Sequence, residues 1–205
     1  MPKRAKDQPA NGGREQAILQ AACAEIRARG REGARMADIA RRAGVSYGLA
    51  YHYFRSKEDI FNAILEQWWT RLFDRLDAFD RDSSPIADKL RGLFGYLLDE
   101  YAADPDSVHV FIAETSRSTS SLSPQRLKTF KAFIGRVERM MTAAQKRGEL
   151  RADVKPGHLT YLYLGGLEAL LSAMVLDNQP LHGEPARNRL IDGMMTVFMN
   201  GARPA

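Results

Sequence analysis

Five of the nine prolines in this 205-residue chain constrain its fold more than any other feature. Pro85, Pro124, Pro156 and Pro185 follow Ser84, Ser123, Lys155 and Glu184, and each leads into a run of helix-forming residues. The first turn of a helix needs no backbone N–H from that position. Proline with its fixed φ therefore suits a helix start and not a strand interior. Asp104-Pro105 ends the run that precedes it. This punctuation predicts helices over about 85–103, 107–116, 124–147, 156–176 and 185–200, with Gly148 closing the third.

Upstream, Ile18, Ala22, Cys23 and Ile26 recur at helical spacing between Arg14 and Arg29, and Gly30 stops that helix. A short helix over about 36–43 points Ile39 and Ala40 inward, and Gly44 breaks it. Ser46 is placed to cap a third helix over about 47–54. A fourth runs from Lys57 to about Phe79 with Phe61, Ile64, Leu65, Trp68, Leu72 and Leu76 on one face. No stretch combines β-branched alternation with a hairpin turn. The expected class is all-α with about nine helices, a small N-terminal helix-turn-helix unit and a larger C-terminal bundle. The expected divisions are a disordered basic arm over 1–13, a reading head over 14–57 and a helical body over 58–205.

Apolar residues make up 44%, enough to bury a real core. The single cysteine, Cys23, reads as a small buried hydrophobe and precludes an internal disulfide. Gly165, Gly166 and Glu168 interrupt the apolar stretch Leu159–Leu176, which reads as a buried helix and not a membrane span. With no secretory apolar segment at the start, the expected setting is cytoplasmic, with no membrane partner. The net charge of +5 is unevenly spread. Residues 1–57 hold 12 Lys/Arg against 5 Asp/Glu, whereas 58–205 hold 18 against 20. A basic head on a neutral body fits a polyanionic partner or a merely solvated basic surface.

The stretch "DIARRAGVSYGLAYHYF" resolves that choice. Ile39, Ala40, Val45 and Ala50 space like the internal contacts of a helix-turn-helix, and Gly44 suits a turn that needs positive φ. The third helix then carries Tyr51, His52 and Tyr53. A tyrosine hydroxyl donates to a phosphate oxygen while its ring packs on the protein. From Gly30 to Phe61 the order and spacing resemble the signature of the TetR family of bacterial transcriptional regulators. The resemblance implies a homodimer on a double-stranded DNA operator, with repression relieved by a ligand. It puts Ser46, Tyr47 and Leu49 at base edges and Gly48 at a close backbone approach. Tyr51 and Tyr53 fall at phosphates with His52 between them, and Lys57 at the family's phosphate-binding lysine. The family's frequent threonine at the start of the second helix is absent here, and Arg35 is placed to reach that phosphate. Ala50 stands where the family often has leucine, with Leu49 one place earlier.

For the body the resemblance implies a dimer face and a ligand pocket. Gly166, Ala169 and Ala173 offer a small-residue stripe, matched by Leu190, Met194, Val197 and Phe198. These stripes face either a second copy or the protomer's own core. Pocket candidates on the fourth and fifth predicted helices are Trp68, Trp69, Phe73, Phe94 and Tyr101. Later helices add Phe111, Met140, Met141 and Tyr161. Arg117 is either an anchor for an anionic head group or a surface arginine paired with Glu114. The run "FIAETSRSTS…GELRADVKP…GGLEALLSAMVLDNQ" is similar to the fatty-acid-responsive branch, which implies acyl-CoA within the wider class of apolar or amphipathic ligands. The alternative is a body that binds a protein partner. No zinc, P-loop or nucleophile-elbow motif stands in the sequence, so the chain is not expected to be an enzyme, and neither cofactor nor metal is expected.

Overall fold

The computed structural model describes residues 11–115, 123–178, 180–181 and 183–204. Among these there are nine helices and no strand, and the all-α expectation holds. In chain order they are α1 (Asn11–Gly33), α2 (Met36–Arg42), α3 (Tyr47–Tyr53), α4 (Lys57–Arg81), α5 (Ile86–Ala103), α6 (Pro105–Thr115), α7 (Pro124–Lys146), α8 (Pro156–Leu176) and α9 (Gly183–Ala202). The residues fall into two compact units that divide between Gln67 and Trp68. The arm expected over 1–13 falls mostly outside the described residues, and α1 begins at Asn11, earlier than the expected Arg14.

In the first unit, Ile18, Ala22 and Ile39 form a closed core with Ala50 and Ile60. Cys23 is buried among them, as its alanine-rich surroundings predict. Gly30 breaks the helical path of α1 with φ 72° and ψ 164°. The break leaves carbonyls at the end of α1 without helical partners. Lys57 closes them, donating to Arg31 O at 3.2 Å and Glu32 O at 3.0 Å. A carboxylate network fastens α1 to α2. The buried Glu25 accepts from Arg42 Nε at 2.8 Å, and Asp38 accepts from Arg29 at 2.9 Å.

In the second unit α5 is the central helix, with Leu90, Leu93, Phe94 and Leu98 wholly buried. It packs on α6, α7 and α9, and α8 packs on α6, α7 and α9. Two buried tyrosines cross-link these layers. Tyr163 donates to Leu90 O at 2.6 Å, and Tyr101 to Met174 O at 3.0 Å. Burial pushes the Tyr163 phenol well above its ordinary pKa, so it remains a donor at any physiological pH. Among the described residues α8 alone is, by length and hydropathy, apolar enough to cross a membrane, but it is a bundle helix that buries Leu159, Tyr163, Leu167, Leu171 and Met174.

The proline punctuation is realised with three shifts, at Pro85, at Pro105 and at Pro185, which α9 precedes by starting at Gly183. Ser123 caps α7 by accepting from Arg126 N at 3.3 Å, and Pro124 leads the helix. Pro85, expected at the first helical position, instead sits at the N-cap of α5. Ser84 turns to Asp82, and the first free N–H of α5 is taken by a distant side chain, with Ile86 N donating to Glu149 Oε2 at 2.5 Å. Pro105 opens α6 as well as ending α5, because Asp104 caps it through Ser107 N at 3.0 Å.

Arg147 beside Glu149 lowers that carboxyl's pKa from its ordinary 4.5, helped by the Ile86 N–H. A lowered folded-state pKa contributes stability above the unfolded value that is lost as pH falls through the folded one. Glu149→Ala is expected to cost about 1 kcal/mol at neutral pH, as for loss of a helix cap. The difference from the parent should shrink once the pH drops below about 4.5, which urea unfolding at neutral and acid pH will read.

Candidate functional site

The first candidate surface is built by the end of α2 and the start of α3. Gly44 takes φ +68°, with its N–H on Arg41 O at 3.2 Å and the Val45 N–H on Ala40 O at 3.0 Å. This pair of bonds is the Schellman closure of a helix, and it turns the chain sharply. Ser46 then caps α3, its Oγ accepting from Leu49 N at 3.2 Å. Ala50 is completely buried at the crossing with α2, which forces the opposite face of this seven-residue helix outward.

That face is aromatic and polar. Tyr47 and Tyr51 are 55% and 40% exposed, far above what such rings show in a core. They lie one helical turn apart, edge to face at 4.8 Å, and the Tyr47 hydroxyl donates to Tyr51 at 3.2 Å. The Tyr47 hydroxyl raises the Tyr51 phenol above its ordinary pKa of 10.0, so Tyr51 stays a neutral donor. Ser46, Gly48 and His52 are exposed beside them, and so is Arg35 at the N-cap of α2. Leu49 and Tyr53 are half-buried, with the His52 ring edge-on to Tyr53 at 5.7 Å. Lys57 is placed differently from this group. Two of its three ammonium donors serve the end of α1, and Glu32 Oε2 lies 3.5 Å away. The spacing that marks it as a phosphate ligand carries no trace of the broken helix end that engages it.

The second candidate is a cavity of about 180 Å³ in the second unit. Trp68, Trp69 and Leu72 of α4 supply one wall, Leu97 of α5 and Val108, Phe111 and Ile112 of α6 another. Phe130, Phe133 and Ile134 of α7 face Tyr161, Leu164, Gly165, Leu167, Glu168 and Leu171 of α8. Trp68 is the fixed piece. Its ring stacks on Phe111 at 4.8 Å, and its indole N–H donates to Ser107. Trp69 meets Phe111 edge-on at 5.0 Å and Phe133 at 5.8 Å. Among the described residues Glu168 is the only charged side chain in the wall.

Of the pocket candidates, Trp68, Trp69, Phe111 and Tyr161 line this cavity. Phe73 stands behind Trp69, under the Arg136 guanidinium. Phe94, Tyr101, Met140 and Met141 are packed in the core away from the wall, because their helix faces meet other helices. Arg117 lies outside the described residues. Its suggested partner Glu114, buried at the end of α6, accepts from Arg126 of α7 at 2.7 Å. Sequence reasoning passed over the aliphatic lining and Phe130, Phe133 and Ile134. The i, i+3, i+4 spacing of those three was the available signal.

The small-residue stripe also divides. Gly166 faces Met194 within the chain, where a Cβ at 166 would come within 2.9 Å of the Met194 methyl. Phe198 packs edge-on against Tyr163 at 5.4 Å, and Leu190 is half-buried. Ala169, Ala173 and Val197 point outward with Leu162 and Leu176, forming an exposed apolar face on α8 and α9.

Residues 18–64 match the model for bacterial regulatory proteins of the tetR family. The chain is 26% identical over 201 residues to the HTH-type transcriptional regulator RutR of Escherichia coli (strain K12), covering 93% of this chain and 91% of that one. Its fold is similar to FadR of Bacillus subtilis in complex with stearoyl-CoA, at a TM-score of 0.75 and 20% identity over 91% of this chain and 98% of that one. It is also similar to AibR in complex with isovaleryl coenzyme A and operator DNA, at a TM-score of 0.70 and 20% identity over 90% and 97%.

A Cβ at Gly44 meets nothing within 4 Å, so the cost of a side chain there is backbone strain alone. Gly44→Ala is expected to destabilise the first unit by about 1–2 kcal/mol. Thermal unfolding followed by helical circular dichroism will measure it.

Proposed function

We propose that this chain, which carries the tetR-family regulatory domain at residues 18–64, is a transcriptional regulator that binds an operator as a homodimer and releases it on taking up an apolar or amphipathic small molecule. The exposed, capped face of α3 carries this reading. Two tyrosines held outward at the cost of leaving ring surface in water need a partner, and a major groove with its flanking phosphates supplies one. Tyr51, Tyr53 and Arg35 serve phosphates. Ser46, Tyr47 and Leu49 serve base edges, and Gly48 admits the sugar-phosphate backbone. Lys57 contributes through its remaining donor at the start of α4. Such a regulator works in the compartment that holds the DNA, the cytoplasm of a bacterial cell.

The exposed apolar face of α8 and α9 is the proposed dimer contact. Leu162, Ala169, Ala173 and Leu176 follow one another at intervals of seven, four and three, a stripe that a second copy of the same helix covers well. Two heads on one dimer then meet half-sites about 34 Å apart, so a small change of spacing weakens both contacts together. The cavity is the proposed sensor. The FadR and AibR complexes support a coenzyme A thioester as ligand, and the apolar walls suit its acyl part.

Selection of bound sequences from a random DNA pool tests the reading. A palindromic consensus supports it, and binding without sequence preference would refute it. Tyr51→Phe is expected to weaken binding to selected and random DNA alike by about 1 kcal/mol, the worth of one hydrogen bond. Substitution of Leu49 should change the selected sequence at one position of each half-site. Val197→Glu, which puts a charge on the exposed α9 face, should shift the protein to monomer in sedimentation experiments. It should weaken operator binding more than tenfold while leaving the melting temperature of the first unit unchanged.

A further inference from the structure

We infer that the part of the ligand buried in the cavity is a compact apolar group of single-ring size, and not a long unbranched acyl chain. This rests on the ligand-relieved reading above. A dry cavity of 150 Å³ lined by aliphatic and aromatic side chains holds one benzene ring. The 180 Å³ available here, in a pocket open at its mouth, scales to roughly seven or eight carbon atoms. The stearoyl chain held by the Bacillus subtilis protein is more than twice that.

The walls do not yield easily to anything longer. Trp68 is 1% exposed, stacked on Phe111 and tied to Ser107, so one end of the cavity is closed by a side chain held from two sides. Leu72, Leu167 and Leu171 close the floor and are themselves buried. Interiors packed to this density accept an extra methylene only by displacing neighbours.

The chemistry of the lining narrows the class further. Trp68, Trp69, Phe111, Phe130, Phe133 and Tyr161 put six rings around a small space. Rings prefer edge-to-face and offset contacts with other rings, beyond the area they bury. An aryl group meets such partners here and a linear alkyl chain does not. Glu168 is exposed at the rim and the deeper lining is apolar, so a carboxylate or phosphate head finds no partner at depth and stays outside.

Both tryptophans of the chain line the cavity, so intrinsic fluorescence reports occupancy without reference to DNA. The test titrates the purified full chain with butyryl-, octanoyl-, palmitoyl- and phenylacetyl-CoA, which share one head group and differ only in the buried part. Phenylacetyl-CoA is expected to bind tightest, octanoyl-CoA next, and palmitoyl-CoA at least tenfold more weakly than either. Ile134→Ala, which enlarges the cavity, should move the preferred straight chain to greater length. Gly165→Leu should move it to shorter length. A Cβ at Gly165 meets nothing within 4 Å, so the new side chain is admitted at its base, and a melting temperature no lower than the parent's shows that the variant is folded. Palmitoyl-CoA binding as tightly as octanoyl-CoA, or tighter, overturns the inference and leaves the ligand-relieved regulator standing. If no thioester changes the fluorescence or releases DNA, the sensor reading itself falls, and the inference with it.

Discussion

The ends of the helices govern everything else in this protein. A helix leaves four N–H and four C=O groups without partners at its two termini, and leaving them buried and unpaired costs more than any surface contact returns. The chain meets the demand with side chains chosen position by position. Ser46 and Ser123 cap from within their own turns, and Glu149 reaches across 63 residues to the start of α5. Lys57 closes α1, and Lys89 closes α4 by donating to Phe79 O and Asp82 O at 2.7 and 2.5 Å. Each cap fixes where a helix starts or stops, and with it the rotation of every residue that follows. The outward face of α3 follows from Ser46 and Gly44 more than from any preference of tyrosine for solvent.

Aromatic residues serve two opposite purposes under that control. On α3 they are held in water, where each ring leans on its neighbour and the hydroxyls meet. Around the cavity they face inward, and the one indole N–H that burial would strand is paired with Ser107. The same large, flat, weakly polar groups are therefore presented to solvent in one unit and folded around an apolar space in the other.

Much of this was legible in the residues. Proline and glycine marked eight of the helix boundaries to within a few positions, because φ restriction acts locally and needs no tertiary partner. The exposed face of α3 was legible for the same reason, since the turn, the cap and the period of α3 all lie within one short segment. The cavity was only partly legible. Trp68, Trp69, Phe111 and Tyr161 stand in its wall. Phe94 and Met141 have the same composition and period yet are plain core, with no accessible surface.

What the sequence determined by itself was therefore the set of helices, their caps and the outward chemistry of α3. These depend on dihedral preference and on hydrogen bonds spanning a few residues. What only the tertiary structure decided was which inward faces meet and which leave a space between them. It also decided that Glu149 caps a helix 63 residues away, that Lys57 serves the end of α1, and that Gly166 lies against Met194 while Ala169 remains exposed. Those outcomes are set by the rotation and spacing of whole helices against one another, and no local pattern encodes a distance between elements.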